Sequence, residues 1–200
     1  MEKTLWRDDF TCRCCGFQSK KYQRVISVDP DANSKDQFIT VCSFCELCFS
    51  VDLAGLTGSG VLIWLPEISQ SNLHHIMRAI YVVRGTDHPL ADSATRAYDA
   101  LIARRTEAKK RLGSDDPLLL ATVLQESLTD KEYAARTAKL EGIRLMPLER
   151  WLTRGPRGDV NHFPQVVKYW RSSEGPFGKL PPETWASMFD SVLNQISKPH

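Results

Sequence analysis

All six cysteines of this 200-residue chain fall between Cys12 and Cys48, and none follows. A disulfide framework is normally spread over the chain it staples, so a cluster of this kind points to metal binding. Two Cys-x-x-Cys pairs stand inside it, Cys12 with Cys15 and Cys42 with Cys45. Gly16 and Phe17 follow the first pair, as suits a tight knuckle; the second follows a β-prone run, Phe38 to Val41, and precedes a helix expected to begin near Glu46. Four thiolates about 2.3 Å from one ion complete a tetrahedral site with no open position, and closed zinc sites are structural. The spacing therefore predicts a single structural Zn²⁺ held by Cys12, Cys15, Cys42 and Cys45. Cys14 and Cys48 are left over. Cys45-Glu46-Leu47-Cys48 is also a Cys-x-x-Cys pair, so Cys48 could replace Cys42, and Cys14 could replace Cys12 or Cys15 at a poorer spacing. A thioredoxin-type redox pair would need a βαβ setting that is missing from this stretch.

The rest of the chain changes texture. Tyr22 to Val28 and Phe38 to Val41 read as a hairpin, and Gly55, Gly58 and Gly60 as a turn before a buried strand, Val61 to Leu65, closed by Pro66. The glycines lack the Gly-Lys-Ser/Thr ending of a phosphate loop. From Ser69, a candidate N-cap, Leu73, Ile76, Met77, Ile80 and Val83 recur at helical spacing until Gly85. A second amphipathic helix carries Ala94, Ala97, Tyr98, Leu101 and Ile102, then a basic run from Arg104 to Arg111, and stops at Gly113. Asp116-Pro117 opens another over Leu118 to Leu128, and a further helix spans Asp130 to about Leu140. A final helix after Pro181-Pro182 would place Trp185, Phe189, Val192, Leu193 and Ile196 on one stripe. The expected fold class is α+β: a small treble-clef-like Cys₄ zinc lobe over residues 1–66, followed by a mainly α-helical region, 67–200, packed on it.

Charge and hydropathy exclude several function classes. Twenty-six basic and 24 acidic side chains leave a formal charge of +2, so no overall electrostatic footprint calls for nucleic acid or an anionic membrane. The first ten residues lack a secretory h-region, and the apolar run ending at Leu65 is far shorter than the ~20 residues of a spanning helix. A soluble, cytoplasmic chain is expected. The basic run is interleaved with Glu107 and reads as a solvated face. His74 and His75, adjacent on a helix, point about 100° apart and cannot chelate one ion; surface or partner contacts are expected of them. Trp64, Trp151, Trp170 and Trp185 suit a core. Because tryptophan and arginine also dominate interface hot spots, Trp151, Trp170 and Arg171 are candidate partner anchors.

The order knuckle, hairpin, then Cys-x-x-Cys at a helix start resembles the ββα-metal lobe of HNH endonucleases. Catalysis in that family needs a histidine base before the hairpin turn, an asparagine before the second cysteine pair and a histidine on the helix. Here Val25-Ile26-Ser27-Val28-Asp29-Pro30 has no histidine, Gln37 stands at the asparagine position, and Glu46 follows Cys45. Only Asp29 remains as a possible ligand for a catalytic cation, which implies an empty scaffold. A narrower resemblance rests on Phe10-Thr11-Cys12, Cys15-Gly16-Phe17-Gln18, Tyr22-Gln23, Thr40 to Phe49, Leu62 to Glu67 and Gly142 to Pro147. These segments resemble the DotN (IcmJ) family of type IVB (Dot/Icm) secretion coupling complexes. The resemblance implies a non-catalytic adaptor, peripheral to the inner membrane through its complex. Its partners would be the C-terminal tail of a DotL-like coupling ATPase and other coupling-complex subunits, and it would aid substrate recruitment. The alternatives from other classes are a metal-dependent HNH-type nuclease and a nucleic-acid-binding zinc module.

Overall fold

Tyr22 to Val28 and Phe38 to Val41 form the expected hairpin, β1 (Gln23–Ser27) and β2 (Phe38–Cys42), antiparallel with Gln23 opposite Cys42 and Ser27 opposite Phe38. The computed structural model describes residues 2–28, 37–155 and 158–178. Asp29, the C-terminal helix expected around Trp185 and the last histidine, His200, lie outside the described residues. A short helix, α1 (Glu2–Arg7), precedes the hairpin, and Arg7 Nη2 donates to the Phe38 carbonyl at 2.7 Å.

The helix after β2 starts earlier than expected. α2 (Ser43–Phe49) opens directly behind Cys42, whose sulfur accepts the Cys45 amide at 3.4 Å and so occupies the N-cap position. α3 (Val51–Leu56) then takes in Gly55, which the sequence assigned to a turn. The reason is a close helix crossing: a Cβ at Gly55 would collide with the backbone nitrogen of Leu118, in α7 (Pro117–Thr122). The turn itself falls at Thr57 to Ser59, where Gly58 has φ +61°.

The apolar run forms β3 (Gly60–Trp64). Its partner is distant in sequence: β4 (Ile143–Pro147) runs antiparallel to it, with Leu62 opposite Leu145. Both faces of β3 are covered, which explains a continuous apolar run instead of alternation. Val61 and Ile63 enter the main core, whereas Leu62 joins a smaller cluster with Ala54, Ala108 and Leu145. Gly142 ends the preceding turn at φ +80°, and a Cβ there would lie 2.7 Å from Trp64 Nε1.

α4 (Gln70–Val83) is the central helix. Ser69 caps it as expected, accepting the Asn72 amide at 3.1 Å, and Gly85 follows its end at φ +76°. Every residue from Ile76 to Val83 is buried, so this part of the helix is enclosed on all sides and not merely on an amphipathic face. The expected single helix up to Gly113 is two, α5 (Ala91–Ala103) and α6 (Arg105–Leu112). They break at Arg104, whose carbonyl accepts the Trp64 amide at 3.3 Å and so ties the bend to the free edge of β3. α7 is capped by Asp116 Oδ1 on the Leu118 amide at 2.8 Å, and the chain continues as a π-helical turn over Val123–Ser127. α8 (Asp130–Ala134) and α9 (Arg136–Lys139) replace the one helix expected there. β5 (Leu152–Gly155) and β6 (Gly158–Asn161) make a last hairpin before α10 (Phe163–Arg171). The fold is α+β, mainly helical after the cysteine region. Among the described residues no helix is long and apolar enough to cross a membrane.

One apolar cluster joins the two halves of the chain. It runs from Phe17, Val41 and Phe44 through Leu73, Met77 and Ile80 to Val166 and Trp170. The cysteine region is therefore packed directly on α4 and α10.

Candidate metal centre

Three local devices bring the cysteines together. In the knuckle the Gly16 amide donates to the Cys12 carbonyl at 2.8 Å and the Cys12 amide to the Phe17 carbonyl at 2.9 Å, with Gly16 at φ +74°. The sulfurs of Cys12 and Cys15 thus point to one side. Gln23 Nε2, at the start of β1, donates to the carbonyls of Phe10 and Phe17, both at 2.8 Å, and clamps the knuckle to the hairpin. The Arg13 amide bonds the Thr40 carbonyl of β2 at 2.9 Å. Cys42 ends β2 and Cys45 lies in the first turn of α2, so the second pair faces the first.

The result is a group of four buried sulfurs, from Cys12, Cys15, Cys42 and Cys45, all within 4.8 Å of one another. Cys15 and Cys42 are 3.8 Å apart. A disulfide requires about 2.05 Å, whereas the edge of a tetrahedron with metal–sulfur bonds of about 2.3 Å is about 3.8 Å. The spacing fits a shared ion. Cys14 is exposed and Cys48 half-buried, and both lie outside this group. Partial desolvation beside the Cys12 and Cys15 sulfurs pushes the Cys14 thiol up to about 11, and burial pushes that of Cys48 up to about 12, so neither is a ready thiolate.

Packed this closely, the four sulfurs compete for protons. Hydrogen bonds from Cys15, Cys42 and Cys45 hold Cys12 far below the ordinary thiol range, while those of Cys12, Cys15 and Cys42 push Cys45 far above it. Burial pushes Cys42 up. Four thiolates without a cation would repel one another by roughly 4 kcal/mol per pair at an effective dielectric constant near 20. The donor set is soft and thiolate-rich, and it can hold a metal ion.

The surroundings of the sulfurs come from α4, and they correct the expectation for the histidines. His74 is not a surface residue: it is 1% exposed, and its Nδ1 lies 3.2 Å from Cys45 Sγ. Its tautomer follows from Gln70. The Gln70 amide is oriented by Leu145, whose N–H donates to Oε1 at 2.9 Å and whose carbonyl accepts from Nε2 at 2.8 Å. Gln70 Nε2 is therefore the donor to His74 Nε2, 2.8 Å away, which leaves the proton on Nδ1, facing sulfur. Burial, with the Arg78 charge, holds His74 down to about 3, so the ring is neutral. His75 is also engaged, with Nε2–H donating to the Cys15 carbonyl at 2.7 Å.

Arg78 is 0% exposed. Its Nη2 lies 2.6 Å from Cys42 Sγ and 3.6 Å from Cys15 Sγ, and its guanidinium sits 4.1 Å from the centre of the Phe17 ring and 5.0 Å from that of Phe44. Sequence reasoning missed this residue and His74. The available signal was the four-residue spacing of Gln70, His74 and Arg78, which puts three polar side chains in line along one side of α4.

No family model matches the chain. Compared over 164 aligned positions, the chain is 30% identical to the type 4 apparatus protein DotN of Legionella pneumophila, and the match covers 75% of this chain and 76% of that protein. The chain belongs to the DotN family. The segments whose sequence resembles that family lie around the cysteine cluster: the knuckle, β2 with α2, and the β3–β4 pair that seats Gln70.

The candidate partner anchors separate in space. Trp170 is 1% exposed and meets Phe17 and Phe44 edge to face at 5.8 and 5.7 Å, so it is a core residue behind the sulfur cluster. Arg171 caps the C-terminal end of α4, with Nε donating to the Val82 carbonyl at 2.6 Å and Nη2 to that of Tyr81 at 3.0 Å. Trp151 is half-buried, packed on Tyr22 at 5.7 Å with Arg24 over its ring, and borders a shallow cavity of about 150 Å³ with Glu46, Leu53 and Arg150. The basic run is spent within the chain. Arg104 pairs with Glu67 at 3.0 Å, Arg105 and Lys109 with Asp115, and Arg111 lies 3.9 Å from the Trp64 ring centre.

Proposed function

We propose that this chain is a non-catalytic adaptor subunit of a type IVB (Dot/Icm) coupling complex, built around one structural zinc ion held by Cys12, Cys15, Cys42 and Cys45. It works on the cytoplasmic side, peripheral to the inner membrane through its complex. It binds the C-terminal tail of a DotL-like coupling ATPase, contacts other coupling-complex subunits and helps present substrates for secretion. Family membership supports the setting. The observation that carries the non-catalytic reading is the closed cluster of four buried sulfurs: a tetrahedral ion so enclosed has no position for water or substrate, and Lewis-acid chemistry needs one.

The zinc lobe has an HNH-like order of knuckle, hairpin and helix, without that family's histidines at β1 and α2. The histidine nearest the cluster, His74, turns its proton to Cys45 and is not free to activate water. Trp151 and the cavity beside it are the accessible part of the anchor set, with Trp170 and Arg171 fixing the helices behind them. A tail that orders on docking would gain its affinity from a few such aromatic contacts.

Coexpression with the tail of a coupling ATPase tests the reading. A stoichiometric complex carrying one zinc per chain is expected, weakened by Trp151→Ala. Mg²⁺- or Mn²⁺-dependent cleavage of nucleic acid lost in Asp29→Ala, or nucleic-acid affinity falling steeply with salt, would replace the adaptor with a nuclease or a nucleic-acid module.

A further inference from the structure

Arg78 is a buried cation whose partners are sulfurs. A guanidinium is a cation in proteins, and a buried charge persists only where it is compensated. Nε and Nη1 have no hydrogen-bond partner, and their plane is flanked by Phe17 and Phe44. Among the described residues no carboxylate pairs with it. Nη2 is aimed at Cys42 and Cys15. Neutral thiols would leave this charge stranded in an aromatic cage; thiolates would not.

We propose that Arg78, with His74, forms the charge-compensating shell of the metal centre, an inference that rests on the metal-binding reading above. Four thiolates around a dication leave two negative charges in the core. Arg78 offsets one of them at Cys42 and Cys15. His74, locked by Gln70 with Nδ1–H toward sulfur, hydrogen-bonds Cys45. The α2 amide of Cys45 adds a donor to Cys42. Three of the four ligands thus have their charge drawn toward α4 or α2. Both are positioning residues. They touch the ligands, not the ion, and they tie its retention to α4, whose apolar residues belong to the main core.

The shell makes a spectroscopic prediction that simple packing does not. A positive charge beside a thiolate stabilises its lone pairs, so the sulfur-to-cobalt charge-transfer band of the Co²⁺-loaded chain lies at higher energy than without it. In the full-length Arg78→Met variant, which keeps bulk and removes charge, that band moves to longer wavelength, and metal affinity measured by chelator competition falls about 10–100-fold. Arg78→Lys, which keeps the charge but not the planar fork, restores part of both. A wild-type band and wild-type affinity in Arg78→Met would overturn the inference while leaving the metal site standing. A wild-type chain purified without metal and unable to take up Zn²⁺ or Co²⁺ would instead remove the metal-binding reading itself. If Arg78→Met does not fold, wild-type protein loaded with ¹¹³Cd decides: scalar coupling from the metal to a guanidinium proton of Arg78 and to His74 Nδ1–H is expected, and its absence at both would defeat the assignment.

Discussion

The knuckle and hairpin between Phe10 and Phe49 and the β3–β4 pair with its surrounding helices differ in what holds them. In the first, short irregular segments converge on four sulfurs, and the apolar side chains available, Phe17, Val41 and Phe44, serve chiefly to dock it on α4 and α10. In the second, two strands about eighty positions apart in the chain meet because Leu62 and Leu145 on one face, and Ile63 and Met146 on the other, bury apolar surface. An ion can order a segment too short to build its own core; apolar burial can order a long-range pairing that has no local signal. The first region should fail when its ligands fail, the second when its volume changes.

The largest effect is expected at the sulfurs. Structural zinc contributes about 10–16 kcal/mol in small metal-folded units, comparable to the ~5–15 kcal/mol stability of a whole domain. Cys12→Ser or Cys42→Ser should therefore abolish folding or leave an insoluble chain, and a strong chelator should collapse the thermal transition seen by circular dichroism. A metal-free chain that melts at the wild-type temperature would erase the contrast between the two regions. Next comes Trp170→Ala, which empties the core behind the metal centre and should cost about 3–5 kcal/mol in denaturant titrations. Its metal content, if the protein is recovered, tells whether the aromatic backing matters to the ion.

Met146→Ala opens a cavity on the β3–β4 side and should cost about 2–5 kcal/mol, with metal stoichiometry unchanged by elemental analysis. Loss of metal in that variant would show that the two regions are one cooperative unit. The smallest effect is at Asp115, beyond the end of α6. Burial by itself would raise its carboxyl, but the hydrogen bond and charge of Arg105, with Lys109, hold it below the usual carboxylate range. Because the folded value is depressed, the pair stabilises the chain above the unfolded carboxylate pKa near 4, and that contribution fades as pH falls through the folded value. Asp115→Asn should remove less than ~1 kcal/mol at neutral pH and flatten the acid limb of the stability curve.

Local spacing carried much of this protein. The two Cys-x-x-Cys pairs, the hairpin between them, the buried run Val61 to Leu65, the Ser69 cap with its helix and the Asp116-Pro117 start were all legible, because each depends on residues within a few positions of one another. The same logic erred wherever a distant neighbour intervened. Gly55 entered a helix because α7 crosses it. The long helix after Leu90 broke at Arg104 because its carbonyl serves β3. His74 left the surface because its side of α4 faces Cys45.

By itself, the sequence pointed to a lobe able to hold a metal, to the four sulfurs that come together in it and to the family the chain belongs to, since cysteine spacing is a local property. Only the tertiary structure decided that β3 pairs with β4, that Trp170 belongs to the core, and that Gln70, His74 and Arg78 face the sulfurs. Those facts depend on which elements pack against each side of α4, and the four-residue spacing of Gln70, His74 and Arg78 marks a line along the helix without saying what lies opposite it.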